Sequence, residues 1–275
     1  MKEITKACWI LILGFILLLP LSSGAADKGK TEGQDQNTST SVDSNKQVEQ
    51  KGNSQDKGEE KELIPPVNMP TYKPPLRGAP AGRVAGGTRG VSEKLPYLCL
   101  LVPEHVGLTT SDQPCLYYFL SRPTSYPVEF TIIEKRAVYP LIESRIHSAT
   151  QPGIHAICLS DYGVRLKKGA QYRWFVALVP DAHHRSKDVL AAGAIERVEL
   201  QKGLKTRLQE SSMMDAPFIY AEAGIWYEAL STLSLLIKKE PRNKRFRKER
   251  ASLLEQVGLE RVAEYEVREW KGRED

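Results

Sequence analysis

The sequence predicts a mainly β fold: an immunoglobulin- or fibronectin-like β-sandwich followed by a C-terminal α-helical hairpin. Three features carry that expectation. From Tyr97 to Leu200, short apolar, aromatic and β-branched runs alternate with Pro, Gly, Asp and Ser, about seven in roughly a hundred residues. After Asp215 the apolar spacing changes to three- and four-residue steps, the period of a helix face. The stretch between the leader and residue 90 has neither pattern, so the 41% hydrophobic content of the 275 residues is concentrated where a core can form.

Residues 1–26 have the form of a Sec signal peptide. Lys2 and Lys6 give a positive start, Trp9 to Leu19 an apolar run, and Ser23 to Ala26 small residues for cleavage. That run is shorter than the ~20 residues a bilayer span needs, so no stable membrane span is expected once the leader is removed. No Cys stands in lipobox position. The expected destination is outside the cytoplasm: periplasm, envelope surface or medium.

Residues 27–62 hold six Lys against nine Asp and Glu and almost nothing apolar. Such a segment cannot bury enough surface to offset the entropy of ordering, which predicts a disordered polar linker. Residues 63–90 are rich in Pro and then Gly and carry Lys73, Arg77, Arg83 and Arg89 with no acid. Prolines favour an extended path, and a basic extended segment can lie on an anionic surface.

The sandwich is expected over 91–203. Strands are predicted near Tyr97–Val102, Cys115–Leu120, Val128–Glu134, Val138–Ile146, Gly153–Leu159, Gln171–Val179 and Leu190–Leu200. Alternation is imperfect, since Leu98 to Val102 is apolar on both faces. The stretch Leu166 to Leu200 is central: a Lys-Lys-Gly turn leads into a strand with Tyr172, Trp174, Val176 and Leu178 on one face. Trp174 is the expected core anchor.

The tail, 213–275, starts with Asp215 and Pro217 as a helix-start signal. Trp226, Ala229, Leu230, Leu233, Leu236 and Ile237 predict an amphipathic helix ending before Pro241. A second helix is expected from Lys244 to Val257, stopped by Gly258. The segment GIWYEALSTLSLLIKKEPRN resembles one tetratricopeptide unit, and a helical hairpin on the sandwich edge is the plainer reading.

Several segments together resemble the domain of unknown function 928 family. They are GGTRG, LVPEHVGLTTSDQP, PGIHAICL, the GAQYRWFVALV strand, the D-x-x-x-RS-x-D loop and the GIWYEAL helix, spanning roughly Thr88 to Leu259. The resemblance implies an exported, mainly cyanobacterial protein of this architecture and assigns no biochemical activity. His183 and His184 depart from the loop expected of relatives.

Chemistry is sparse. Once Cys8 leaves with the leader, Cys99, Cys115 and Cys158 remain, and an oxidising compartment permits one bridge. Cys99 to Cys115 is the easiest pair if their strands are neighbours; three buried thiols is the alternative. No metal site is expected: adjacent His183 and His184 beside Asp181 lack a third ligand, and neighbouring side chains diverge in extended backbone. Asp181, Arg185, Ser186 and Asp188 match the resembling loop. Arg185 there either braces the loop through Asp or grips a carboxylate or phosphate. G-x-S-x-G, HExxH, a P-loop and a dinucleotide fingerprint are absent, so no catalytic residue and no cofactor are expected. The run Lys238–Arg250 holds eight Lys or Arg against two Glu. It reads as a solvated helix face or a dock for an anionic partner, and not as a nucleic-acid site on an exported chain.

The expected function is a non-catalytic interaction module of the cell envelope with a protein partner. Its binding residues are expected to be Arg185 and Asp188 in the loop, Arg89 in the lead-in, and Trp226 and Tyr227 if exposed. A carbohydrate-binding or glycan-processing domain is the alternative, with Trp174, Tyr117 or Tyr118 stacking on a glycan ligand. An input domain of a sensor or secretion system is a third.

Overall fold

The computed structural model of the protein describes residues 68–75, 95–147 and 151–271. The expected signal peptide and polar linker, and Arg89, lie outside them. Among the described residues there are eight strands in two sheets and five helices.

The larger sheet runs in the order β2 (Gly107–Thr109), β8 (Val189–Arg197), β7 (Gln171–Leu178), β4 (Val128–Glu134), β5 (Ile142–Ile146). The smaller runs β1 (Leu98–Leu100), β3 (Cys115–Leu120), β6 (Gly153–Cys158). Every pairing is antiparallel except β2 with β8. The predicted face of β7 is the inner one: Tyr172, Trp174, Val176 and Leu178 are buried, and they stand opposite Glu134, Ile132, Phe130 and Val128 of β4. Trp174 is fully buried and meets Phe130 edge-on at 6.4 Å, the T-shaped geometry aromatic pairs favour.

Strand β3 is buried from Leu116 to Leu120 on both faces. Its Phe119 ring meets Tyr265 of the tail at 4.9 Å, while Tyr118 stacks on His155 of β6 at 5.2 Å. The apolar run from Leu98 to Val102 is likewise buried throughout, with Val102 lying against Gly193 of the larger sheet and Trp226 of the tail bonded to Leu101 O. Strands and helices therefore share one continuous hydrophobic core.

The tail is α1 (Lys202–Glu210), α2 (Ala216–Glu222), α3 (Trp226–Lys239), α4 (Lys244–Glu255) and α5 (Glu260–Lys271). Helix α3 ends before Pro241 as predicted, and α4 starts at Asn243, whose side chain accepts from Arg245 N at 3.1 Å. Helices α1 and α5 and strand β2 come in addition to the predicted elements, and the helix predicted from the Asp215 and Pro217 signal is broken at Gly224 into α2 and α3. The strand predicted from Val138 begins only at Ile142, since Val138 and Tyr139 lie in the exposed β4–β5 turn.

The expected Cys99–Cys115 bridge is corrected: Cys115 is joined to Cys158, and Cys99 is free and buried. Strands β1 and β3 are neighbours, but their register sets Cys99 opposite Phe119, four residues from Cys115. At ~3.4 Å per residue that is roughly 13 Å, beyond the ~7 Å a disulfide spans between Cα atoms. Cys115 and Cys158 are direct cross-strand partners.

Candidate functional site

A groove on the tail already holds a length of extended chain. Helix α2 carries Pro217 in its first turn and ends at Glu222; Gly224 follows, and its φ of +73° turns the backbone into α3. Residues 68–75 pass over this turn. Gln256, just past α4, grips the segment on both sides of Thr71: its Oε1 accepts from Tyr72 N at 2.8 Å and its Nε2 donates to Pro70 O at 2.8 Å. Lys73 N donates to Ala221 O at 3.0 Å, and Lys73 Nζ pairs with Glu222 at 3.0 Å. A Cβ at Gly224 would stand 2.7 Å from Lys73 O, so only glycine lets the segment lie this close.

Tyr72 anchors the segment. Its ring is buried edge-on against Trp226 at 5.1 Å and stacks on His105 at 5.8 Å, with Tyr72 Oη 2.8 Å from His105 Nε2. Burial pushes the Tyr72 hydroxyl pKa up and the His105 pKa down, so both are neutral at ordinary pH. The basic lead-in thus packs partly on the protein's own helices. A lone aromatic between prolines, in a stretch that also carries Leu63, Ile64, Val67 and Met69, was the available signal for it.

The loop after β7 is braced from within. Arg185 Nη1 and Nη2 donate to the two oxygens of Glu129 at 3.1 and 2.6 Å, and Arg185 Nε pairs with Asp188 at 2.8 Å. The guanidinium fork is spent on two carboxylates, and its side chain is only 25% exposed. Burial pushes the Asp188 carboxyl up to about 6, although Arg185 pulls the other way. Asp181 collects His183 N at 3.0 Å, His184 Nδ1 at 2.6 Å and Lys187 Nζ at 3.2 Å, and these bonds, His184 foremost, hold its pKa well below the usual carboxylate range. Arg185 and Asp188 therefore come together, as loop braces.

Trp226 and Tyr227 are corrected as surface binders. Both are buried: Trp226 Nε1 donates to Leu101 O at 2.9 Å, and Tyr227 Oη donates to Ala194 O at 3.1 Å. The aromatics proposed to stack on a glycan, Trp174, Tyr117 and Tyr118, are core residues as well. The basic run also enters the core. Arg250 is buried, donating through Nε and Nη2 to Glu266 at 2.9 and 2.6 Å and through Nη1 to Ser234 Oγ at 3.0 Å.

Two motifs distant in sequence meet at Glu228. Its Oε1 accepts from Thr109 Oγ1 (2.7 Å), Thr110 N (2.8 Å), Thr110 Oγ1 (3.1 Å) and Ser111 N (2.8 Å). One carboxylate in the first turn of α3 thereby fixes the loop after β2, where the helix dipole also favours a negative charge. No three His, Cys, Asp or Glu side chains are grouped as a metal set among the described residues, and no helix there is long and apolar enough to cross a membrane.

This is a two-sheet β domain with an integral helical tail, built around a groove and a braced loop. A family model described as Domain of Unknown Function (DUF928) matches residues 84–267, and the chain belongs to that family. No curated protein matches it. A solved structure, a multi-domain immunophilin from Arabidopsis thaliana, is 9% identical over 68% of this chain and 100% of that chain, with a TM-score of 0.17. A score that low carries no argument about fold or function.

Proposed function

We propose that this protein is a non-catalytic interaction module exported to the cell envelope, whose helical tail docks an extended, proline-bearing segment of a protein partner. The observation that carries the reading is the grip on residues 68–75. Gln256 and the backbone of Ala221 read main-chain groups, while the space between His105 and Trp226 takes one aromatic side chain. Main-chain hydrogen bonds plus one deep pocket are the usual parts of extended-peptide recognition. In the resting chain its own segment fills the groove. The Cys115–Cys158 bridge supports export, since such bonds persist in oxidising compartments. On this reading the strands form the immunoglobulin-like support on which the tail is mounted.

The test is a labelled peptide of sequence NMPTYKPP, titrated by fluorescence anisotropy against two forms of the whole chain. In one, residues 68–75 are intact; in the other they are replaced by Gly and Ser. Saturable binding to the second form, and markedly weaker binding to the first, is expected. Binding to neither sinks the reading.

A further inference from the structure

We infer that the β4–β5 hairpin tip is a contact for an anionic lipid surface, seated by Val138, Tyr139 and Leu141 and steered by Lys135 and Arg136.

The tip, residues 135–141, extends past the end of the β4–β5 ladder, whose last pair is Ile132 with Ile142. Val138 is 66% exposed, Tyr139 76% and Leu141 41%. Three exposed large apolar side chains within four residues are unlike the singly scattered ones a soluble surface normally carries. Lys135 and Arg136 are exposed beside them. The turn before β7 adds two more cations at the same end: Lys135 N bonds to Gln171 O at 2.8 Å, and Lys167 and Lys168 immediately precede that turn's Gly169. Lys167 pairs with Glu134 at 3.1 Å and Lys168 with Glu199 at 2.7 Å; with the exposed Glu143 of β5 counted as well, the four cations at this end exceed these three acids by one, and the surplus lies with Lys135 and Arg136.

Size decides between a lipid and a protein occupant. A stable protein interface needs ~800 Å² from each side, more than a seven-residue turn presents. Insertion at a membrane interface needs only a few apolar side chains to reach the headgroup boundary while flanking cations meet anionic lipid. Tyrosine favours that depth.

The experiment uses residues 27–275, which retain every described element, in sedimentation with vesicles of phosphatidylglycerol and phosphatidylcholine or of phosphatidylcholine alone. The protein is expected to bind the anionic vesicles and to be released by high salt. The pair Val138→Ser and Tyr139→Ser should weaken binding about tenfold. Replacing Lys135 or Arg136 by Gln should cost about fivefold each. Because all four side chains are exposed, melting temperatures should not move. A polarity-sensitive dye on Tyr139→Cys should shift to the blue on anionic vesicles alone. Binding that survives the tip changes but is lost with Lys238→Gln and Lys239→Gln would assign lipid contact to the tail and overturn the inference. So would equal binding to neutral vesicles, or none to either.

Discussion

The indole nitrogen of Trp174 donates to Tyr227 Oη at 3.0 Å, and that hydroxyl donates onward to Ala194 O. A strand, a helix and a neighbouring strand are thereby joined through one buried oxygen. Burial pushes the Tyr227 pKa far up, so the hydroxyl keeps its proton and can serve as acceptor and donor together.

Tyr227→Phe should therefore cost more than its size suggests. It removes one oxygen and leaves the Trp174 N–H and the Ala194 carbonyl without their partner in the core. Each such group costs about 1–3 kcal/mol, giving a loss of about 2–6 kcal/mol. Urea unfolding measures it. A change under 1 kcal/mol would show that the chain of bonds does not tie the tail to the sheets.

Arg185→Ala strands two partly buried carboxylates, Glu129 and Asp188, and is expected to lower stability by about 1–3 kcal/mol. Asp188→Asn should act oppositely and depend on pH. The native pKa of Asp188, about 6, stands above its ordinary 3.8. The folded state therefore takes up this proton before the unfolded state does, and stability falls as pH rises through that window. The full swing is about 3 kcal/mol. His105 and His155, lowered by burial, work in the other direction below their ordinary 6.5, which is why the difference between variant and wild type is the quantity to follow. Asp188→Asn should be the more stable protein at pH 8 and lose that advantage by pH 4. A difference that stays flat with pH would refute the assignment.

The bridge makes a separable prediction. Cys115 and Cys158 close a 43-residue separation, for which chain entropy gives about 4 kcal/mol. Cys115→Ser should lower the melting temperature of the oxidised protein and abolish its response to reductant. Cys99→Ser should leave that response intact. Peptide mapping without reductant would recover Cys115 linked to Cys158; a Cys99 linkage would contradict the register.

Much of this architecture was legible from local pattern. Strands β3, β4 and β7 follow β-branched and aromatic alternation, and α3 and α4 follow three- and four-residue spacing between Pro217 and Gly258. What was hidden depends on distant partners. Strand β2 is three residues paired in parallel to β8, with no local pattern of its own. Helix α1 buries no side chain, so it has no apolar stripe to detect. Helix α5 continues a stripe that starts at Leu259 just before it and runs through Val262, Ala263 and position 266, but the last place is Glu266, a buried acid paired with Arg250. The family resemblance set Arg185 and Asp188 in one loop, where they form an ion pair, while Glu129, 56 residues away, carried no sign that it would take up the guanidinium fork.

The lead-in segment yields the last prediction. Tyr72→Ala empties the space beside Trp226 and His105, and removing a buried large aromatic costs about 3–5 kcal/mol where surroundings cannot collapse. The segment is joined to the fold mainly through Gln256 and Ala221, so part of that cost should appear as local release. Amide exchange at Tyr72 and Lys73 should accelerate far more than exchange in β4 or β7. Gly224→Ala should give the same local signature, because its Cβ collides with Lys73 O and the φ of +73° disfavours any side chain. If both variants loosen β7 as much as Tyr72, the segment is part of the cooperative core, and the groove cannot exchange it for a partner's chain. If exchange rises only at residues 68–75 and around Gln256, the groove opens without unfolding, as peptide docking requires.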